Sequence, residues 1–408
     1  MDKINVLLLA HDGGLGGATS SLLNIVEQFN IDYPEVFFHV VVPENATNLI
    51  HDLKKYNCKV VQCRYYLWVA WHRANNSKNI IKYSLKKMKD SLFVRKICWR
   101  TTQLPQNKKT AKWLSKYCTD NNITLIHSNS SSLNLGALVC KYTKLPHIWH
   151  FREFLQEDQN ARLLCRRSYF DKTILKYTTQ IIAVSESIKK KYEKRFPNIK
   201  VVYNGVPFPD KNVKETFTQY KDCFNIVQVG MISKSKGHDI SIQAVYDLIV
   251  NKKIDNVYLH LFGREVWDFD KTSYEAIKDH IVVWKVVPVH FINDFRIQCG
   301  SIELVASKAE AFGRVTVEAM MCGLPVVGAN SGGTPELISD GVTGLLYPQD
   351  SWRKLSDKIE TIIMSPEKRQ YMSRNAYESS NRFTIEHCVK NIVSIYQDCL
   401  GSQYEIND

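Results

Sequence analysis

Two glutamates, Glu310 and Glu318, stand eight residues apart around a Phe312–Gly313–Arg314 turn, and a glycine pair, Gly332–Gly333, follows them. The run "IELVA" at 302–306 reads as a buried strand, and a helix is expected from Arg314 to Cys322. Gly313 lets the chain turn tightly between the two. The N–H groups of the first helical turn and the helix dipole then favour a phosphate at the strand's C-terminal edge. Thr334, Pro335 and Glu336 repeat the device as N-cap, first helical residue and first-turn acid, with the Gly332–Gly333 amides open to a ligand. One glutamate would touch the part of the ligand before the phosphate, the other the part beyond it.

The first half of the chain carries fewer such groups. "GGLGGATSSLL" follows an apolar strand and opens a helix. A dinucleotide-binding fingerprint needs glycine or alanine where Thr19 stands, so it fails, although Glu44 near the end of the second strand keeps an NAD-linked reading open. His150 closes the strand "PHIWH", with Arg152 and Glu153 behind it, and His127 closes "TLIH". Asn204 and Gly205 read as a hinge and turn.

The elements that must position these residues alternate. Strands are expected at 4–10, 37–43, 123–128, 146–151, 180–184 and 200–203, with helices at 18–30, 134–142, 168–178 and 186–195. The polar stretch 207–222 reads as a linker. Alternation then restarts with strands at 224–230, 257–262, 302–306, 324–328 and 343–347 and helices at 238–250, 314–322 and 335–339. This βα rhythm predicts an α/β protein of two doubly wound, Rossmann-like domains. The expected division is 1–206, a linker at 207–222, 223–380, and a C-terminal helix within 381–408 that returns to the first domain. Apolar residues at 385, 389, 392, 393 and 396 carry that last helix.

With 408 residues, 44% of them hydrophobic and 23% charged, the chain suits two globular domains. No apolar run reaches the roughly 20 residues that span a bilayer. "INVLLLA" lacks the basic leader and cleavage site of a signal peptide and reads as a first strand. Eleven cysteines without a CxxC pair argue against a disulfide framework or a metal site and fit a reducing cytoplasm. The net charge of +13 is concentrated: residues 64–112 hold thirteen Lys or Arg and one acid, Asp90. Tyr65, Tyr66, Trp68, Trp71, Phe93 and Trp99 interleave with these cations. Basic and aromatic together predict contact with an anionic membrane surface, with the tryptophans inserting. Nucleic acid is the rival polyanion, but no nucleic-acid motif appears.

The segment "EAFGRVTVEAMMCGLPVVGANSGGTPELISDGVTGLL" resembles the signature of the retaining GT-B glycosyltransferases of the family four group. Further landmarks occur in order: "GGLGGA" (13–18), "IWHFRE" (148–153), "IIAVSESI" (181–188), "VVYNGV" (201–206), "VGMISKSKG" (229–237) and "VYLHLFG" (257–263). The resemblance implies two domains facing across a cleft, a nucleotide-sugar donor in the second and a lipid-linked or polysaccharide acceptor in the first. By its correspondences Glu310 meets the donor sugar, Glu318 the ribose hydroxyls, and the Phe312–Gly313–Arg314 amides hold the donor. Lys236 matches the family lysine that neutralises the leaving diphosphate. The family's arginine is Met231 here, so either Lys234 substitutes or Lys236 and helix ends act alone. His150 matches a histidine that bonds the donor sugar or the acceptor, and the Gly16 and Gly17 amides approach phosphate or acceptor. No metal is implied, and no Asp-x-Asp pair of the metal-dependent kind is present. The expected protein is a retaining transferase of cell-surface glycan synthesis, peripheral on the cytoplasmic membrane face. The alternatives are a non-catalytic nucleotide- or nucleic-acid-binding protein and an epimerase on the same fold.

Overall fold

The computed structural model describes residues 3–14, 16–71, 91–210, 212–266 and 271–404. Contacts divide the chain into two units, Met1–Gly205 with Ile385–Asp408, and Val206–Thr384. The first is built on strands β1 (Ile4–Leu9), β2 (Val36–Pro43), β3 (Cys58–Cys63), β4 (Val69–Trp71), β5 (Leu125–Ser128), β6 (His147–Phe151), β7 (Ala161–Leu163), β8 (Gln180–Ala183) and β9 (Ile199–Val201). Seven of these form a parallel sheet in the order β3-β2-β1-β5-β6-β8-β9. β4 and β7 pair with each other, antiparallel.

β1 shows why its sequence is apolar throughout. Val6 and Leu8 enter a core with Phe29 of the helix Gly17–Asp32 and with Val389, Ile392 and Tyr396 of the helix Ile385–Tyr404. Leu7 and Leu9 enter the opposite core with Leu114 of the helix Leu104–Asp120 and Leu138 of the helix Leu135–Thr143. Side chains alternate across a strand, so one covered on both faces reads as an unbroken apolar run. The C-terminal helix is thus an integral layer of the first unit, with Tyr396 stacked on Phe29 at 5.7 Å between ring centroids.

The second unit holds β10 (Phe224–Val229), β11 (Val257–Phe262), β12 (Ile281–Trp284), β13 (Gly300–Val305), β14 (Val326–Ala329) and β15 (Gly344–Tyr347). They form one parallel sheet in the order β12-β11-β10-β13-β14-β15. Both sheets therefore have the doubly wound order, with the direction of winding reversing beside β1 and beside β10.

The stretch 207–222 is more than a linker. Phe217 is buried in the second core, edge-on to Phe291 and Phe295 at 5.0 and 5.1 Å. The Lys214 and Glu215 amides donate to the Asp294 carboxylate at 2.9 and 3.0 Å. One buried aromatic anchors a segment whose polar composition hides it. The sequence reading also passes over β3 and the helix Leu104–Asp120. β3 buries only Val61 and Cys63, so its apolar signal is short. The lysine-rich helix buries only a stripe of Asn107, Thr110, Ala111, Leu114 and Cys118.

Five histidines in these cores stay neutral because burial disfavours their cations. It lowers His39, His147 and His238 to about 4, and His127 and His260 to about 3. An unfolded chain protonates the same imidazoles near 6.5. As pH falls below 6.5 the unfolded state binds more protons than the folded one, so stability present above 6.5 is lost. The unfolding midpoint is therefore expected to drop between pH 7 and pH 5, before most carboxylates titrate. Equal thermal midpoints at those two pH values would show that these imidazoles are hydrated.

Candidate functional site

In the second sheet the chain runs from β10 outward to β11 and later enters β13 on β10's other side. The loops leaving β10 and β13 diverge there, the usual place for a ligand in an open α/β sheet. Both loops carry residues singled out in the sequence. Lys236 ends a short 3-10 turn, Lys234–Lys236, after β10, and Glu310 lies in the loop after β13. Lys236 Nζ is 2.5 Å from Glu310 Oε1, and Ser307 Oγ donates to the same oxygen at 2.6 Å. Burial pushes the Glu310 carboxyl up, but the Lys236 charge and the two hydrogen bonds outweigh it and hold the group below its ordinary value. The Lys308 amide donates to Ser235 O at 3.2 Å, so the two loops are also stitched by backbone, and the Gln228 side chain on β10 holds Lys236 O at 3.0 Å.

The glycine pair acts differently from expectation. The Gly333 amide donates to Glu310 O at 2.7 Å and is not open to a ligand. Gly332 has φ +58°, and a methyl group there would lie 2.8 Å from the Glu310 amide nitrogen. The pair buttresses the Glu310 loop from behind. Thr334 does not cap either: it belongs to the one-turn helix Thr334–Leu337, and its hydroxyl has no partner among the described residues.

Gly313, at φ +103°, precedes the helix Arg314–Met321 as expected. The Phe312 side chain is buried and packs on Phe383 at 5.9 Å, anchoring the turn. Glu318 lies on the helix, apart from Glu310. Its Oε1 is 3.4 Å from Arg314 Nη2 and its Oε2 is 3.8 Å from Arg296 Nη1. Arg296, its partner Glu303 and Ser307 escaped the sequence reading. The available signal was Glu303, an acid inside the apolar run "IELVA". Lys234 and Met231 are both exposed.

His150, Gly16 and Gly17 belong to the first unit. Gly16 caps the helix Gly17–Asp32, and the loop before it closes through Asp12, which accepts from Gly14 N at 3.3 Å and Thr19 Oγ1 at 3.1 Å. His150 is fully buried at the end of β6, its ring stacked on His127 at 5.5 Å. Arg152 Nη2 is 3.2 Å from His150 Nδ1. A guanidinium only donates, so Nδ1 accepts and the imidazole proton sits on Nε2. That Nε2 has no partner among the described residues. Burial, then Arg152 and His127, hold the ring well below its ordinary pKa. It is thus a neutral hydrogen-bond donor, not a general base. Arg152 is itself fixed by Asn129 Oδ1 at 2.8 Å and Asn204 Oδ1 at 2.5 Å. Asn204 is therefore part of this network and not merely a turn. Glu153 accepts from Ser130 Oγ, Ser131 Oγ and Ser132 N at 2.5, 2.8 and 3.1 Å.

The basic region needs one correction. Trp68 is fully buried, stacked on Trp149 at 5.5 Å and donating from Nε1 to Ser131 O, and Trp99 is buried against Tyr169. Neither can insert into a membrane. Among the described residues of the region, the exposed apolar groups are instead Phe93, Val94 and Ile97 on the helix Leu92–Cys98, beside Arg95 and Lys96. Lys78, Lys82, Lys86, Lys87 and Lys89 lie outside the described residues.

Residues 210–379 match the family described as glycosyl transferases group 1, and residues 89–208 match glycosyltransferase family 4. An uncharacterized glycosyltransferase of Methanocaldococcus jannaschii is 30% identical over 291 residues, which cover 68% of this chain and 76% of that protein. Among solved structures, HepE of Anabaena in complex with UDP superposes with a TM-score of 0.72 at 20% identity, over 97% of this chain and 100% of HepE. The lipopolysaccharide outer core galactosyltransferase WaaB gives 0.65 at 15% identity, over 98% of this chain and 100% of WaaB. The two Rossmann-like units are the GT-B fold of these neighbours. This chain belongs to the glycosyl transferases group 1, within the family four group, and is a glycosyltransferase.

The buttress can be tested on stability alone. Gly341 also has positive φ, +78°, but no atom lies near a methyl placed there. Gly332→Ala adds an overpacking term, typically about 1–3 kcal/mol, to the backbone cost that both positions share. Gly332→Ala is expected to be the less stable variant in thermal or urea unfolding. Equal losses at the two positions would mean that the Glu310 loop yields freely.

Proposed function

We propose that this protein is a retaining glycosyltransferase. It moves a sugar from a nucleotide-sugar donor, bound by the second unit, to a lipid-linked or polysaccharide acceptor bound by the first. The observation that carries the reading is the Lys236–Glu310 pair at the switch point of the second sheet, beside the N-terminus of the helix Arg314–Met321. An ammonium group and a helix N-terminus together favour a diphosphate. The adjacent carboxylates accept hydrogen bonds from hydroxyls, Glu310 from the sugar and Glu318 from the ribose. HepE is solved with UDP and with UDP-glucose, which supports a uridine nucleotide as the first donor to try.

In the reaction the bond from the sugar's anomeric carbon to the diphosphate oxygen breaks, through an oxocarbenium-like transition state. The acceptor oxygen forms its new bond on the same face, and its proton passes to the departing phosphate oxygen. Lys236 meets the negative charge that grows on the diphosphate. His150, a neutral Nε2–H donor, hydrogen-bonds an oxygen of the acceptor. The lipopolysaccharide role of WaaB supports an acceptor of the cell-surface glycan class. The exposed Phe93, Val94 and Ile97 with neighbouring cations support docking on the anionic cytoplasmic membrane face.

Calorimetry with UDP and transfer assays with UDP-glucose test the donor site. Glu318→Ala is expected to weaken UDP binding by roughly 1–3 kcal/mol, the loss of a charged hydrogen bond. Unchanged affinity would remove Glu318 from the ribose role. Lys236→Ala is expected to lower turnover on the order of 100-fold or more. Normal turnover in that variant, with loss in Lys234→Ala, would move the leaving-group role to Lys234.

Membrane docking is read by co-sedimentation with anionic and neutral vesicles. Each surface cation contributes about 1 kcal/mol near an anionic bilayer, and salt weakens that part. Glutamate at Lys96, Arg100, Lys108 and Lys109 should abolish low-salt pelleting, and Phe93→Ser with Ile97→Ser should remove the salt-resistant remainder. Failure of the unmodified protein to pellet at low salt would point to a soluble acceptor.

A further inference from the structure

Glu303 lies in the middle of β13, fully buried, opposite Val227 of β10 and Val326 of β14. A carboxylate in the centre of a parallel sheet is strongly disfavoured unless another group compensates it. The compensation comes from Arg296 on the helix Val289–Gln298, itself 1% exposed. Its Nε donates to Glu303 Oε2 at 3.0 Å and its Nη2 to Oε1 at 2.9 Å, a two-pronged fork. The third nitrogen, Nη1, donates to Asn293 Oδ1 at 3.1 Å and points its charge at Glu318 Oε2, 3.8 Å away.

A pair built only for stability has an odd chemistry. Apolar side chains of similar volume often serve as well as a buried ion pair, or better. What they cannot do is hold a positive charge behind Glu318. Glu303 and Asn293 pin the guanidinium, so that charge stands in one place before any ligand arrives. At 3.8 Å the contact to Oε2 is a charge contact rather than a hydrogen bond, so that oxygen keeps its lone pairs for a ligand, while Oε1 accepts from Nη2 of Arg314, on the Glu318 helix itself, at 3.4 Å.

We propose that Arg296, locked by Glu303, is a positioning residue of the donor site: it fixes Glu318 from behind so that this carboxylate is set to accept the ribose hydroxyls. The inference rests on the proposed ribose role of Glu318. Arg296 touches no substrate, and its effect is confined to the part of the ligand that Glu318 holds.

That confinement gives the experiment. Binding of UDP and of 2′,3′-dideoxyuridine diphosphate, which lacks both ribose hydroxyls, is measured by calorimetry for the unmodified protein, for Arg296→Met with Glu303→Leu, and for Arg296→Lys. The double variant replaces the ion pair by apolar groups and is expected to keep its thermal midpoint. Lysine can pair with Glu303 but has no second arm for Glu318. In both variants UDP should bind roughly 10-fold more weakly, while the dideoxy analogue binds as it does to the unmodified protein. The preference for UDP over the analogue then collapses. Unmodified protein that binds both ligands alike, or binds neither, overturns the ribose reading and the inference with it. Unmodified protein that prefers UDP, with variants that keep the same preference, leaves Glu318 in place and removes Arg296 from its support. Loss of affinity for both ligands equally would likewise show a merely structural pair.

Discussion

The ion pair between Lys236 and Glu310 ties together the two loops that leave β10 and β13 on opposite windings, and the second unit's site depends on it. Each partner would be poorly placed alone. Glu310 would be an anion beside a helix N-terminus proposed to receive another anion. Lys236 would be a flexible cation on a short turn. Joined at 2.5 Å, with Ser307 on the same oxygen, they are neutral overall and fixed. In the proposed donor site, a diphosphate that drew Lys236 to itself would leave Glu310 with the Ser307 hydrogen bond and with oxygens turned over to hydroxyls. The exchange needs a loop that holds still meanwhile. The Gly333 amide on Glu310 O and the Gly332 backbone pressed behind it provide that rigidity.

The same economy of buried polar groups recurs through the molecule. Arg296 and Glu303 satisfy one another in a fork, and Glu153 collects three donors from consecutive residues of one loop. Arg152 is held by two asparagine oxygens and an imidazole nitrogen. Several buried groups lack a partner among the described residues, among them Nε2 of His150 and of the His127 stacked on it. A buried donor without a partner costs about 1–3 kcal/mol. Arg152 fixes the tautomer that leaves His150 Nε2 bare. In the proposed reaction an acceptor oxygen would meet that cost at His150.

Much of this was legible because the physics is local. The first-turn geometry after Gly313, the alternation of strands and helices, and the apolar spacing of the last helix all express periods of 2 and 3.6 residues. Loop chemistry at a strand end led to Glu310, whereas Lys236 was found only through the resemblance to the family. What was not legible depends on burial from distant partners. Trp68 and Trp99 sit in a basic, aromatic stretch that reads as a membrane face, yet tertiary packing takes both rings inside. Phe217 makes core out of a segment with linker composition. The Gly332–Gly333 amides looked open because nothing in the sequence says that Glu310 O lies against them. Arg296 stands in an ordinary amphipathic helix, and only its fold-mate Glu303, an acid in an apolar strand, hinted at it.

The two units also divide the chemistry in a way that fits the proposed division of substrates. The second unit gathers charge at its switch point: an ammonium, two carboxylates, and guanidiniums behind one of them. Such a set discriminates a phosphorylated, hydroxyl-rich ligand from a neutral one. At the strand ends of the first unit lie asparagines, a neutral imidazole, a guanidinium engaged by neutral acceptors, and the Glu153 and Asp12 carboxylates, which already accept from neighbouring serine, threonine and backbone donors. That set suits an uncharged hydroxyl, which asks for hydrogen bonds and not for a counter-ion. Met231 sharpens the contrast, because a position that the family fills with arginine is here apolar and exposed. With one cation fewer, the proposed leaving diphosphate would rely on Lys236 and the helix end, or on Lys234 in the arginine's place. A lysine already engaged by Glu310 is a costly choice for that task unless release from Glu310 is part of donor binding.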